Sequence, residues 1–235
     1  MMCRRQDGGN RIMKIALLAD IHANLPALDA VMSDIRGVDM VVCAGDILGY
    51  YADVNEVCER LRSIGASVIR GNHDCYVTGF LQPAPERVAA YRTEWTRQNL
   101  DARHYEWLSA LPAELSFDYD SKNIRIRHAS PWDEETYLYP DSVRLNEIRL
   151  KGDEFLVLGH THHPMLRQCG SGTVINPGSV GQPRDWNPMA SYAILDTRSG
   201  EADFRRIRYD VEGLQRRLTQ MGWDPAMVSI LSRTR

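Results

Sequence analysis

The chain has 235 residues, enough for one large domain or two small ones. Its 43% hydrophobic and 25% charged residues are the proportions of an ordinary globular enzyme, and a net charge of −3 gives no overall attraction to nucleic acid or anionic membranes. The five cysteines are odd in number and lack C-x-x-C spacing, which excludes a disulfide framework or a thiolate zinc site and fits a reducing cytoplasm.

No apolar run approaches the roughly 18 residues that would span a bilayer. The opening Met1-Met2-Cys3-Arg4-Arg5 has no apolar core behind it, so a signal peptide is not expected and the cytoplasm is. Residues 1–11 read as a disordered extension, with Met13 an alternative start, and residues 12–235 as a single domain. Ile12 to Ala19 is nearly all apolar, the pattern of a strand covered on both faces, and it ends in Asp20-Ile21-His22. Residues two apart on an extended chain point the same way, so Asp20 and His22 can converge. Alone, they would equally suit a helix cap and a loop residue.

A helix follows, with Pro26 in its first turn, an apolar stripe of Leu28, Val31, Met32 and Ile35, and Gly37 as its stop. Met40 to Ala44 is the next buried strand and ends in Gly45-Asp46. Asp53 and Glu56 have the spacing of a capping box before Val57, Leu61 and Ile64, with Gly65 as terminator. The third strand, Ala66 to Ile69, leads into Arg70-Gly71-Asn72-His73-Asp74. This βαβαβ rhythm predicts a parallel sheet, whose ligands sit beyond the carboxyl ends of the strands. All three polar motifs lie there. Cys75, next to the third, reads as a small buried filler.

Pro83 to Leu111 reads as two helices whose aromatics are core. Leu115, Phe117 and Tyr119 alternate with polar residues, Asp120 to Asn123 turns, and the return strand puts Ile124, Ile126 and His128 on one face. A lone histidine in that place is usually a satisfied core residue. Residues 130–140 form an aromatic, acidic loop of the kind that shapes substrate pockets. A helix is expected from Ser142 to Leu150, then a strand from Glu154 to Leu158 that ends in Gly159-His160-Thr161-His162-His163. Short strands near 165–168, 173–175, 192–195 and 204–207 and a helical tail close the chain, with a tight turn at Asn176-Pro177-Gly178-Ser179. The cluster of Arg205, Arg206, Arg208, Arg216 and Arg217 reads as a solvated face.

The residues that end strands are Asp20, His22, Asp46, Asn72, His128, His160 and His162. Two carboxylates, an amide and four imidazoles, with no thiolate, suit manganese, iron, zinc or nickel rather than a structural zinc. Seven groups are too many for one metal and fit two that share a carboxylate. Metals roughly 3.5–4 Å apart can hold a hydroxide between them and clamp a phosphoryl oxygen.

In order, D-x-H, G-D, G-N-H-D, H, G-H-x-H and N-P-G-S resemble the calcineurin-like metallophosphoesterase superfamily, over about Lys14 to Gly181. The similarity is to its compact bacterial and archaeal, phosphodiesterase-like branch. The resemblance implies an α/β fold, a four-layer αββα sandwich of two mixed β-sheets flanked by helices. It implies two divalent metals, manganese first: Asp20, His22, Asp46 and His162 on one, and Asp46, Asn72, His128 and His160 on the other, with Asp46 bridging. His73 would be the general acid and Asp74 would orient its imidazole. Arg184 could hold a phosphate oxygen, or be a plain surface residue.

The implied function is hydrolysis of a phosphodiester or a nucleotide-type phosphoester, by attack of a metal-activated hydroxide. A phosphomonoesterase or protein phosphatase is the alternative, although Gly45-Asp46 continues as Ile47-Leu48-Gly49-Tyr50 rather than as D-R-G. A non-catalytic scaffold on this fold is the rival from another class; it would have lost the histidines this chain keeps. A zinc peptidase or deaminase lacks its H-E-x-x-H or P-C-x-x-C signature. The expected partner is a small phosphoester or nucleotide, with neither membrane nor nucleic acid indicated and homo-oligomerisation left open.

Overall fold

The computed structural model describes residues 13–119 and 121–234; the extension expected over residues 1–11 and the turn residue Asp120 lie outside them. Strands β1 (Lys14–Leu18), β2 (Met40–Cys43) and β3 (Ser67–Val68) come first, joined by helices α1 (Leu25–Asp34) and α2 (Val54–Ser63). Four helices follow: α3 (Asn72–Thr78), α4 (Val88–Tyr91), α5 (Thr93–Asn99) and α6 (Ala102–Ser109). Strands β4 (Glu114–Tyr119), β5 (Lys122–Arg127), β6 (Glu154–Val157), β7 (Pro164–Cys169) and β8 (Gly172–Pro177) build a second sheet in the order β4-β5-β6-β8-β7. Strands β9 (Ala190–Asp196) and β10 (Ala202–Ile207) return to the first, in the order β10-β9-β1-β2-β3, and helices α7 (Val211–Gln220) and α8 (Pro225–Ser229) follow.

The apolar run of β1 divides by parity. Ile15, Leu17 and Ala19 face the second sheet and pack with Ile124, Ile126, Val157 and Ile175. Ala16 and Leu18 face the helices and pack with Leu28 and Val31 of α1, Leu61 of α2 and Leu214 and Leu218 of α7. A strand with a core on each side has no polar face to show, which is why β1 reads as a continuous apolar run. The outer face of the second sheet buries Leu156, Leu158 and Val174 under Leu138, Leu145 and Ile148. Two mixed sheets flanked by helices result, as expected. In both, the parallel strands (β1, β2 and β3; β5, β6 and β8) bring their carboxyl ends to one region.

Three local expectations fail. The stretch 83–111 holds α4, α5 and α6 and a 3₁₀ turn, rather than two helices. Arg92 takes a left-handed conformation (φ 58°) between α4 and α5, and its guanidinium lies 4.0 Å from the Trp223 ring centre. The helix expected from Ser142 to Leu150 is a 3₁₀ stretch, Val143–Glu147; its buried Leu145 and Ile148 are three apart, the spacing that eclipses on such a turn. Asp53 makes no capping bond to α2. Its carboxylate is taken by Arg217, which donates Nη1 and Nη2 to the two oxygens at 2.6 Å each. The C-terminal basic cluster is therefore partly structural, since Arg205 and Arg206 also pair with Asp203 and Asp185.

Candidate metal centre

Asp20, Asp46 and Asn72 follow β1, β2 and β3; His128 follows β5, and His160 and His162 follow β6. The convergence expected from extended backbone arises another way. Asp20, His22, Asp46, His160 and His162 have φ of 54°, 52°, 54°, 68° and 59°, in the left-handed region. Each such residue costs on the order of 1–3 kcal/mol and persists only where its surroundings over-determine it. Here they do: Asp20 N donates to Gly45 O at 3.0 Å, His22 N to Asp46 O at 3.0 Å, and Ser179 Oγ and Gly181 N both donate to Asp20 O, at 2.7 and 3.0 Å. The Asn176–Ser179 turn is thus a clip; Asn176 Nδ2 also holds Gly159 O at 2.6 Å.

The seven predicted side chains come together, all buried, in two groups of ligand atoms. Asp20, His22, Asp46 and His162 form one and Asp46, His128 and His160 the other, with atoms within 4.8 Å of one another in each. Asn72 Oδ1 lies in the second, 3.0 Å from His128 Nε2 and 2.9 Å from His160 Nδ1. Asp46 Oδ2 stands between them, 3.7 Å from His22 Nε2 and 3.3 Å from His128 Nε2. Gly71 permits this approach, since a Cβ there would lie 2.2 Å from Asp46 Oδ1.

The tautomers decide what these atoms offer. A carbonyl only accepts, so an imidazole nitrogen facing one carries the proton. His22 Nδ1 donates to Leu48 O at 3.0 Å, His162 Nδ1 to Gln182 O at 2.6 Å, His128 Nδ1 to Ala44 O at 2.7 Å, and His160 Nε2 to Glu135 O at 3.1 Å. The opposite nitrogens therefore point lone pairs inward. His22 Nε2 faces His162 Nε2 at 3.1 Å, lone pair to lone pair. Asp20 Oδ2 is buried with no hydrogen-bond partner. Acceptors gathered without donors repel one another unless positive charge lies among them. Backbone carbonyls that fix the tautomer of a metal-binding imidazole are also what such sites carry. The residues fit divalent cations.

The electrostatics agree. Burial holds His22 and His162 well below the ordinary imidazole value and takes His160 to about 3, which keeps their lone pairs free. Burial, with Asp46 adding to it, raises Asp20 to about 7. His128 differs: although burial opposes it, the Asp46 and Asp20 carboxylates push it up to about 10. The field at that point calls for a positive charge, which a cation would supply in place of a proton.

His73 opens α3, and its backbone N–H donates to Asp46 Oδ1 at 2.9 Å. Its ring is centred 4.8 Å from His22, 4.7 Å from Tyr50 and 4.3 Å from Tyr91, and burial lowers it to about 4. Gly49 (φ 89°) lies against Nδ1, where a Cβ would come within 2.5 Å. Among the described hydrogen bonds none joins Asp74 to this imidazole, contrary to expectation. Its carboxylate accepts from the backbone N–H groups of Ile47 (3.1 and 3.2 Å), Leu48 (3.1 Å) and Gly71 (2.9 Å), tying the Asp46 loop to the start of α3. Burial and Asp46 push its carboxyl up to about 7, against three donors that favour the ionised form. Cys75 is buried, and burial pushes its thiol up to about 12, as suits a filler.

Arg184 is half-buried beside the centre. Nη2 donates to Tyr50 Oη at 2.9 Å, and Nε and Nη2 donate to Gln182 Oε1 at 3.2 and 3.0 Å. Gln182 is itself fixed by Tyr51 Oη at 3.0 Å. Tyr50, Tyr91 and Gln182 are residues around the centre that the sequence reading missed, whereas Tyr137 lies in the 130–140 loop expected to shape a pocket. None is a metal-ligand type, and the only signals were the positions of Tyr50 just past Gly45-Asp46 and of Gln182 just past the Asn176–Ser179 turn.

The profile of the calcineurin-like phosphoesterase superfamily domain matches residues 13–200. An uncharacterized protein of Methanocaldococcus jannaschii is 34% identical over 218 residues, 84% of this chain and 88% of its own. The phosphodiesterase YfcE of Escherichia coli K12 is 29% identical over 198 residues, 79% of this chain and 88% of its own. Among solved structures, a metallophosphoesterase from Sphaerobacter thermophilus superposes with a TM-score of 0.78 at 30% identity, covering 96% of this chain and all (100%) of its own. A hypothetical protein from Pyrococcus horikoshii OT3 shares the fold with a TM-score of 0.81 at 21% identity, over 95% of this chain and 99% of its own. With two five-stranded mixed sheets and a buried Asp/His cluster at the carboxyl ends of their parallel strands, the chain belongs to the calcineurin-like phosphoesterase superfamily and is a phosphoric ester hydrolase.

Proposed function

We propose that the chain is a binuclear metal-dependent phosphoesterase acting on phosphodiesters or nucleotide-type phosphoesters. The observation that carries this reading is Asp46 Oδ2 standing between two groups of inward-pointing lone pairs. Asp20, His22, Asp46 and His162 would hold one divalent cation, and Asp46, Asn72, His128 and His160 a second. Such a pair supplies Lewis acidity to the phosphoryl oxygens and to the attacking water. Nitrogen and oxygen donors without thiolate suit manganese, iron, zinc or nickel, and the family resemblance puts manganese first. The free buried cysteines among the described residues support a reducing, cytoplasmic setting.

The chain's own groups would do the rest. His73 protonates the leaving oxygen from Nε2, its Nδ1 side being packed on Gly49. Burial favours the neutral imidazole, so His73 takes up a proton from solvent as the anionic ester binds and then passes it to the leaving oxygen. Arg184 uses Nε and Nη2 on Gln182 and Tyr50. Among the described hydrogen bonds Nη1 has none, and it is the atom to meet a non-bridging phosphoryl oxygen. A single guanidinium suits the monoanion of a diester better than the dianion of a monoester. The name of YfcE as a phosphodiesterase points the same way.

The test is hydrolysis of bis-p-nitrophenyl phosphate and p-nitrophenyl phosphate by metal-stripped protein resupplied with manganese. Metal-dependent release, faster on the diester, is expected; no release with manganese, iron, zinc or nickel would refute the reading. His73→Ala should slow alkyl phosphoesters far more than p-nitrophenyl esters, whose leaving group needs no proton. Equal losses on both would remove His73 from the acid role.

A further inference from the structure

From the second metal-binding group a row of rings runs outward. Tyr137 lies on His160, with centroids 3.9 Å apart. Tyr139 lies beyond Tyr137, 5.7 Å away and within 10° of parallel, and His163 meets Tyr139 edge-on at 5.4 Å. Both tyrosines are open to solvent, 42% and 38% exposed, while Leu138 between them is 1% exposed. Alternation about a buried anchor therefore turns two parallel aromatic rings to one side.

The turn that leads into the shelf is tied down by hydrogen bonds. Ser130 Oγ accepts from Trp132 N and Asp133 N, and the Asp133 carboxylate accepts from Glu135 N, Thr136 N and Thr136 Oγ1. Glu135 then grips the centre twice, its carbonyl accepting from His160 Nε2 and its carboxylate from the Tyr76 hydroxyl. Large rings left exposed on the segment that follows this pinned turn, beside a reaction centre, are a stacking platform rather than loose surface. Through the contact of Tyr137 with His160 the shelf borders the second group of ligand atoms.

Resting on the phosphoesterase reading above, we infer that Tyr137 and Tyr139 form a base-stacking subsite, so the substrate class is nucleoside phosphoesters. The phosphoryl group lies at the metal-binding groups and Arg184, and the base lies outward on the two tyrosine rings. Stacking recognises a π-face and not hydrogen-bonding edges, so purine and pyrimidine esters should both be taken, purines more tightly.

The experiment is calorimetric binding of adenosine 5′-monophosphate and of ribose 5-phosphate to the manganese-loaded protein. The two share the ribose 5-phosphate unit and differ at C1′, where one carries the base and the other a hydroxyl. Stacking on aromatic side chains predicts about tenfold tighter binding of the nucleotide. Tyr139→Leu touches no metal ligand; it should bring that ratio close to one while leaving ribose 5-phosphate binding unchanged. Tyr139→Trp should preserve or raise the ratio, which a merely structural role of Tyr139 would not do. Equal affinities for the two ligands in the wild type, or a ratio unmoved by Tyr139→Leu, would overturn the subsite and leave the phosphoesterase reading standing. Failure of both ligands to bind at millimolar concentration would also overturn the subsite, while the phosphoesterase reading stands or falls on diester hydrolysis.

Discussion

Replacing Asp74 by asparagine separates two roles that a carboxylate next to His73 could have. Its oxygens accept from three backbone N–H groups, those of Ile47, Leu48 and Gly71. In Asp74→Asn one oxygen becomes an NH₂ group, which cannot accept, so whichever way the amide turns, at least one buried N–H loses its partner. An orphaned buried donor costs about 1–3 kcal/mol, and the remaining bonds lose their charge assistance, for a total of about 2–4 kcal/mol. With an unfolding entropy of about 2.1 cal/mol/K per residue over 235 residues, about 0.5 kcal/mol/K, the melting temperature should fall by about 4–8 °C. Scanning calorimetry of manganese-loaded wild type and variant at pH 8 measures this. The leaving-group dependence of turnover should stay that of the wild type, because the described hydrogen bonds of Asp74 go to the backbone and not to the imidazole. A melting temperature within about 1 °C of wild type, or a leaving-group profile matching His73→Ala, would refute the assignment of Asp74 to the backbone.

Asp46→Asn should deplete both metals, because the oxygen facing both groups is lost; metal analysis after gel filtration checks this, and unchanged content would deny the shared role. Gly49→Ala places a Cβ within 2.5 Å of His73 Nδ1 at a φ of 89°; turnover of alkyl esters should drop at least about tenfold with metal content intact, about 1.4 kcal/mol in the barrier. The Asp53–Arg217 pair, with Asp53 4% exposed, should show a coupling of about 1–2 kcal/mol in a double-mutant cycle read by urea unfolding, discounted for the exposed side of Arg217. Additive single effects would mean that the pair contributes nothing.

The seven candidate ligand side chains were legible because each is announced locally: an apolar run ends and a ligand type follows within a few residues. The two sheets were legible for the same reason, since β1 and β5 show their burial in their periodicity. What escaped depends on distant partners. Asp53 reads as a helix cap until Arg217, 164 positions away, takes its carboxylate. Asp74 looks like a companion of His73 by adjacency, whereas helical geometry at the start of α3 turns it to the Gly71 N–H and the loop after β2. Arg184 was legible as a candidate, but Tyr50 and Gln182, which orient it, meet it only in the folded chain, and neither carries a local mark of that meeting. Even the correct convergence of Asp20 with His22 had the wrong cause, because left-handed turns replace the extended chain assumed from sequence.

Those turns also shape how the protein meets its ions. Five donor-bearing residues are held in an unfavourable conformation by bonds from the protein's own backbone and from Ser179. Their aim is therefore set during folding, so an arriving ion orders little and loses little affinity to conformational entropy. A cavity shaped in advance cannot close around a smaller ion or widen for a larger one. Ions of similar radius are then ranked by their own affinity for nitrogen and oxygen donors, and the composition of the surrounding ion pool, rather than the fold, selects which one the protein carries.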